Sequence, residues 1–227
     1  MFMADDGKSR PKVTNALIAA YVLLFLVTLF GPKGLAIRLL YEYGLVPSMV
    51  NMANPLTLFT YMFLHGNLAH LASNVFVLHS VGREVERDVG PIKFTLVYLA
   101  SGITAGLVHM VINPASNVPV IGASGAIFGL IAVMLLLMPF KITTALILPL
   151  PGVVMGLLLV LVEVAAVMVG VESGVAHDMH LYGFFVGCVG AFAIDQERAF
   201  RGLVIALLIL VALYVWTVYF EGASLIS

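Results

Sequence analysis

Four long stretches of this chain carry no aspartate, glutamate, lysine or arginine: 13–32, 43–82, 94–140 and 142–162. A helix needs roughly 20 apolar residues to cross the hydrocarbon core of a bilayer, so each of the two longest stretches has room for more than one membrane-associated element. Composition agrees, with 62% hydrophobic and only 10% charged residues among 227 and a mean hydropathy of +1.10. Soluble domains carry about 25% charged residues, which excludes that class. A net charge of -1 argues against nucleic acid as a partner. The single cysteine, Cys188, can form no intramolecular disulfide and reads as a small buried hydrophobe.

The first apolar run, 13–30, follows Lys8, Arg10 and Lys12. It is longer than a signal-peptide core and ends at Gly31-Pro32 without a small-x-small cleavage site, so it is expected to be a transmembrane helix. In 33–66, Leu35, Leu39, Leu40 and Tyr43 recur at helical spacing beside Arg38 and Glu42, with breaks at Pro47 and Pro55. That pattern suits a structured loop with a helix lying in the membrane interface. Further helices are expected near 67–86, 92–112, 122–138, 151–169 and 178–195, and a seventh at 202–220. The fold class is an all-α membrane protein. Nine of the 11 lysines and arginines precede the first helix or fall in the second-to-third, fourth-to-fifth and sixth-to-seventh connections. By the positive-inside rule the N-terminus is cytoplasmic and the C-terminus external, which brings the starts of helices two, four and six to the external side.

Four polar residues lie near those starts: His70 and Asn74 on helix two, Ser124 on helix four and His180 on helix six. Polar groups in spanning helices are costly and are read as functional by default, although Asn and His also join helices by hydrogen bonds. Ser124 stands between Gly122 and Gly125, with no bulky neighbour to screen its oxygen. Glycine and serine also make ordinary helix contacts in lipid, and Ala126 breaks the Gly-x-Ser-x-Gly elbow of soluble hydrolases. Serine and histidine at one depth suggest a nucleophile and its base. Something must orient the imidazole, and Phe128, one turn after Ser124, offers a ring for His180 to stack on. Oxyanion donors are available from the first turn of helix four, from Asn74 and from His70. Gly125 and Gly129 on one helix, and Gly183 and Gly187 on the other, form two small-xxx-small faces that let the backbones approach closely.

The set His65, His70-x-x-x-Asn74, Gly82-Arg83-Glu84-x-Glu86, Gly122-Ala123-Ser124-Gly125 and His180-x-x-Gly183-x-x-x-Gly187 resembles the rhomboid family of intramembrane serine proteases. The resemblance implies a six-helix rhomboid-like bundle over residues 13–195, after a cytoplasmic segment 1–12 and before a linker and seventh transmembrane helix in 196–227. It further implies peptide-bond hydrolysis in or near transmembrane segments of other proteins, through a Ser-His dyad and an acyl-enzyme. By matching position Ser124 is the nucleophile and His180 the general base and acid. His70, Asn74 and the Ser124 N–H line the oxyanion hole, and Arg83 and Glu86 are structural. Substrate entry is expected between helices two and five. The implied partners are transmembrane protein substrates and the lipid bilayer, with no cofactor and no metal. His177 competes with His180 for the catalytic label; the glycine spacing selects His180 and leaves His177 as a rim or interface residue.

Three rival classes stand beside this reading. A metal or haem protein is suggested by His177-x-x-His180 with His65 and His70, but no His-Glu-x-x-His motif or thiolate cluster accompanies them. A transporter is suggested by Glu163, an acid inside the apolar run of helix five; the alternative is a carboxyl kept neutral or hydrogen-bonded to a neighbouring helix. A rhomboid-like membrane binder or chaperone without catalysis is the third, and retention of both Ser124 and His180 counts against it. His79 and His109 read as interhelical or interfacial hydrogen-bonding residues.

Overall fold

The computed structural model describes residues 10–49, 54–146, 148–170 and 174–224; Lys8 and Glu172 lie outside them. An apolar helix, α1 (Lys12–Phe30), leads in. It stops at Gly31, before Pro32, which has no N–H to continue the ladder. The loop that follows holds α2 (Leu35–Tyr43), none of whose residues is buried. Exposed Ile37, Tyr41 and Tyr43 leave it free to lie along a bilayer surface, as its spacing predicts. Two 3₁₀ turns, Pro47–Met49 and Tyr61–Phe63, and the short α3 (Thr57–Thr60) complete the loop.

The expected second helix forms in three joined pieces: α4 (Leu68–Val77), a π-helical turn (Leu78–Gly82) and α5 (Arg83–Val89). Asn67 caps its start by accepting a hydrogen bond from the His70 N–H at 2.8 Å, as short polar side chains do at helix N-termini. The wide turn falls where α1 crosses, and a Cβ on Gly82 would come within 2.7 Å of Leu78 and 3.3 Å of Thr14. Gly90, at φ +83, then reverses the chain and Pro91 opens α6 (Pro91–Ile112).

The core is α7 (Ser124–Leu137), buried at every residue after Ser124. Around it pack α6, α8 (Gly152–Val169), α9 (His177–Ile194) and α10 (Gln196–Ser224). Glycines set the spacing. A Cβ on Gly183 or Gly187 of α9 would overlap the backbone of Gly125 or Gly129 on α7, and one on Gly202 of α10 would overlap Leu136. This is the close approach that small residues permit between helices in lipid.

Two features depart from the sequence expectation. Between α7 and α8 the chain forms an antiparallel hairpin, β1 (Ile142–Leu146) and β2 (Leu148–Pro151). Ile142, Thr143 and Thr144 are β-branched and favour extended backbone, and Pro149 and Pro151 bar a helix there. The polar stretch 196–201 belongs to α10 rather than to a connection, because Asp195 caps that helix by accepting from the Arg198 N–H at 3.0 Å.

The protein is thus an all-α, multi-pass integral membrane protein in its architecture, with the hairpin as a small appendage. Among the described residues α1, α6, α8 and α10 are long and apolar enough to cross a membrane. By contrast α7 has 14 residues, about 21 Å at 1.5 Å per residue, against a hydrocarbon core of about 30 Å.

Candidate active site

A helix as short as α7, surrounded by longer ones, starts inside the bundle. The chain reaches that start through 113–123, which descends from the end of α6 and pairs at Val120 with Leu45. Gly122 makes the final turn at φ +116, a conformation open to glycine and strained for other residues. A Cβ on Gly122 would also fall 2.5 Å from the His70 ring, so the imidazole of α4 lies directly against the backbone next to Ser124. Ser124 is the first residue of α7, and Ile127 is the first to bond back along the helix, to the Ala123 carbonyl. The N–H groups before it have no intrahelical partner and carry the positive end of the dipole.

Across the α7–α9 seam, His180 Nε2 lies 2.8 Å from Ser124 Oγ. The imidazole is stacked on Phe128, with ring centroids 4.4 Å apart and planes 8° from parallel. The glycine pairs explain the distance: with the backbones of Gly125 and Gly183 in contact, Ser124, next to Gly125, and His180, one turn before Gly183, are within reach. His180 itself is buried. A cavity of about 830 Å³ opens above the pair and is lined by His70, Asn74, Ser124 and His180. The structure therefore brings all four sequence-selected residues to one site.

Asn74 is 5% exposed. One N–H of its amide donates to the His70 carbonyl at 2.9 Å, and its Oδ1 has no hydrogen-bond partner among the described residues. His65 lies behind His70, with ring centroids 5.1 Å apart, and against Tyr21 at 5.2 Å.

The sequence left His177 at the rim and Glu163 between two readings; the structure joins them. Glu163 of α8 is buried, and its Oε2 lies 2.5 Å from His177 Nδ1. Its other oxygen lies 3.0 Å from His180 Nδ1. That approach is within ion-pair distance but off the ring N–H axis, so it does not form a linear hydrogen bond. The carboxylate is hydrogen-bonded to a neighbouring helix, the second of the two alternatives open at the sequence level. The signal in the sequence was a lone charge in the 18 residues of α8, and the partner was unreadable because lateral helix placement is not written locally. Of the other histidines, His109 bonds Asp178 at 2.7 Å, tying α6 to the start of α9. His79 lies 2.6 Å from Arg83 at the opposite end.

Glu163, His177 and His180 are also the one set of donors among the described residues grouped closely enough to hold a metal ion. Zinc bonds of about 2.0–2.1 Å in a tetrahedron hold ligand atoms about 3.3 Å apart. The separations of 2.5 and 3.0 Å suit direct contacts between carboxylate and imidazole better.

Residues 53–197 match the Rhomboid domain profile, a span that includes every residue of the site. Over 127 residues the chain is 36% identical to Rhomboid protease GluP of Bacillus subtilis, covering 56% of this chain and 24% of that protein. It is 44% identical over 77 residues to the chloroplastic Rhomboid-like protein 11 of Arabidopsis thaliana, covering 34% and 27%. It is also 34% identical over 134 residues to RHOMBOID-like protein 4 of the same plant, covering 58% and 32%. The chain spans 24–32% of the length of these relatives.

Proposed function

Because the chain belongs to the rhomboid family, we propose that it is an intramembrane serine protease, with Ser124 as nucleophile and His180 as general base and acid. The observation that carries this reading is the 2.8 Å contact between Ser124 Oγ and His180 Nε2, made by residues 56 apart in sequence, at a cavity that His70 and Asn74 also line. The neutral imidazole takes the serine proton as Oγ bonds to the scissile carbonyl carbon, and the carbonyl electron pair becomes the oxyanion. Collapse breaks the C–N bond, and His180 returns the proton to the departing amine. The ester left on Ser124 is opened by water, whose proton passes to His180 and then back to Ser124 Oγ. The products are an amine-ended and a carboxylate-ended fragment.

His70, Asn74 and the Ser124 N–H are proposed to hold the oxyanion. The position of His70 against Gly122 and the lining of the cavity by both side chains support this. Substrates are single-pass membrane proteins whose helix unwinds near the external face, since an intact helix hides its carbonyls in hydrogen bonds. Entry lies between α4–α5 and α8, as the family resemblance implies. The crowded backbone around Gly122 and Gly125 favours a small side chain at the cleaved position, and a cleavage profile rich in bulky residues there would refute that. Residues 13–195 form the proteolytic core and 196–227 an added segment. The N-terminus is cytoplasmic and the C-terminus external, in a cell membrane.

The deciding experiment is cleavage of a panel of tagged single-pass segments in liposomes by the wild type, Ser124→Ala and His180→Ala. Fragments from the wild type alone support the dyad. Cutting by Ser124→Ala removes it. If nothing cuts, labelling of folded protein by a serine-directed phosphonate separates an enzyme lacking its substrate from a binder without catalysis.

A further inference from the structure

Resting on the Ser124 and His180 reading, we propose that Glu163 is a positioning residue of the reaction, its carboxylate holding His180 in the tautomer and orientation that accept the serine proton. An ionisable side chain in a spanning helix is expensive and persists where it has partners. Glu163 is the single charged residue of α8, is turned inward, and has two imidazoles as partners. One of those imidazoles touches Ser124. Three helices thus contribute a continuous line: Ser124 Oγ to His180 Nε2 at 2.8 Å, then His180 Nδ1 to Glu163 Oε1 at 3.0 Å.

A neutral imidazole carries its proton on one nitrogen only. With the proton on Nε2, the ring faces Ser124 with a donor and can accept nothing. A carboxylate beside Nδ1 favours the proton there and leaves the Nε2 lone pair directed at the serine hydroxyl. When that proton arrives, the imidazolium forms next to a negative charge. Phe128 does a different job, since parallel stacking limits tilt of the ring but does not distinguish its two nitrogens. The off-axis approach at Nδ1 is in keeping with catalytic hydrogen bonds that align only with substrate bound. His177, on Oε2 at 2.5 Å, anchors the carboxylate from its other side.

The test is the kinetics of Glu163→Gln in liposomes. This isostere keeps the volume and removes the charge. The expected result is a fall in kcat of about 10- to 100-fold, taken from the loss of partners that orient metal-bound histidines, with KM unchanged. Phosphonate labelling of Ser124 should slow to match. In a His180→Ala background, Glu163→Gln should change the slow residual labelling no further, because the carboxylate acts through the ring. Equal slowing in both backgrounds overturns the proposal in favour of a structural role, and wild-type kcat for Glu163→Gln overturns it outright. Should Glu163→Gln not fold, Glu163→Asp carries the test: a carboxylate withdrawn by one methylene should lower kcat with KM intact, and wild-type kcat refutes. Cleavage by Ser124→Ala defeats the underlying reading instead, so the two failures are distinguishable.

Discussion

Each end of this bundle is built around a buried glutamate, and the two are satisfied in opposite ways. Glu86, 1% exposed, accepts hydrogen bonds from the Val13 N–H at 2.9 Å and from the Thr14 N–H and hydroxyl, both at 2.7 Å. Those are the unpaired donors at the N-terminus of α1, where a negative charge also meets the positive end of the dipole. Glu163 accepts from no backbone group among the described residues and faces two imidazoles. A carboxylate held by main-chain donors fixes a helix end. One held by titratable rings is tied to whatever those rings do. Around Glu86 the charges are further paired, Lys141 with Glu84 at 2.8 Å and Arg198 with Asp88 at 2.9 Å, and among the described residues buried side-chain atoms without a partner occur at both ends, Arg83 Nε here and Asn74 Oδ1 at the site.

The largest effect that separates the two ends is expected at the site. Asn74→Ala removes an oxyanion donor, and losses of this kind cost about 10²- to 10³-fold in kcat. Unfolding midpoints should barely move, because among the described residues the amide makes one hydrogen bond, within its own helix. Steady-state cleavage together with thermal unfolding of the same preparation checks both halves. A variant that unfolds yet cleaves normally per folded molecule reverses the assignment of this end.

Glu86→Ala should do the converse. It strands three donors, each worth about 1 kcal/mol or more when left unpaired and buried, so a destabilisation of about 3 kcal/mol is expected. Folded molecules should keep wild-type kcat. Thr14→Val, which removes the hydroxyl alone, should cost about 1 kcal/mol. Unfolding measured by steric trapping in bicelles, with activity normalised to folded protein, reads both variants. A drop in kcat without loss of stability would mean that Glu86 is coupled to the chemistry.

How far these regions were legible in the sequence follows the same division. Charge-free stretches and proline breaks marked the helices, because a bilayer imposes length and apolarity on each segment independently. The glycine pairs at Gly125/Gly129 and Gly183/Gly187 announced the seam, because close backbone contact needs absent side chains on both faces. Ser124, His70, Asn74 and His180 stood out as polar residues at one depth. What stayed hidden depends on rotation and lateral order. Nothing in α8 says that Glu163 faces α9, nor that His177 turns inward to meet it. The hairpin at Ile142–Leu146 and Leu148–Pro151 fell in the connection between the helices expected at 122–138 and 151–169, where so short an apolar run does not declare its own structure. The start of α10 was misplaced because Asp195 and Arg198 look like a polar connection until the cap is seen.

That cap supplies the smallest and most discriminating test. The Asp195 carboxyl is held below the usual aspartate range, first by the Arg198 backbone N–H and next by its side chain. A carboxyl depressed in the folded state contributes stability that is complete above its unfolded pKa, about 3.9, and is lost as pH falls through the lower folded value. Arg198→Ala keeps the backbone donor and removes only the exposed guanidinium pairs with Asp195 and Asp88. At pH 7 and moderate salt neither cleavage nor the unfolding midpoint should change measurably, since exposed ion pairs are weak and screened. Asp195→Asn should shift the midpoint slightly at pH 7, and the difference from wild type should shrink as the pH falls below the unfolded aspartate value of about 3.9. If Arg198→Ala instead lowered kcat as Asn74→Ala is expected to, α10 would be transmitting to Ser124 through Gly202 and α7, and the two ends would have to be treated as one device.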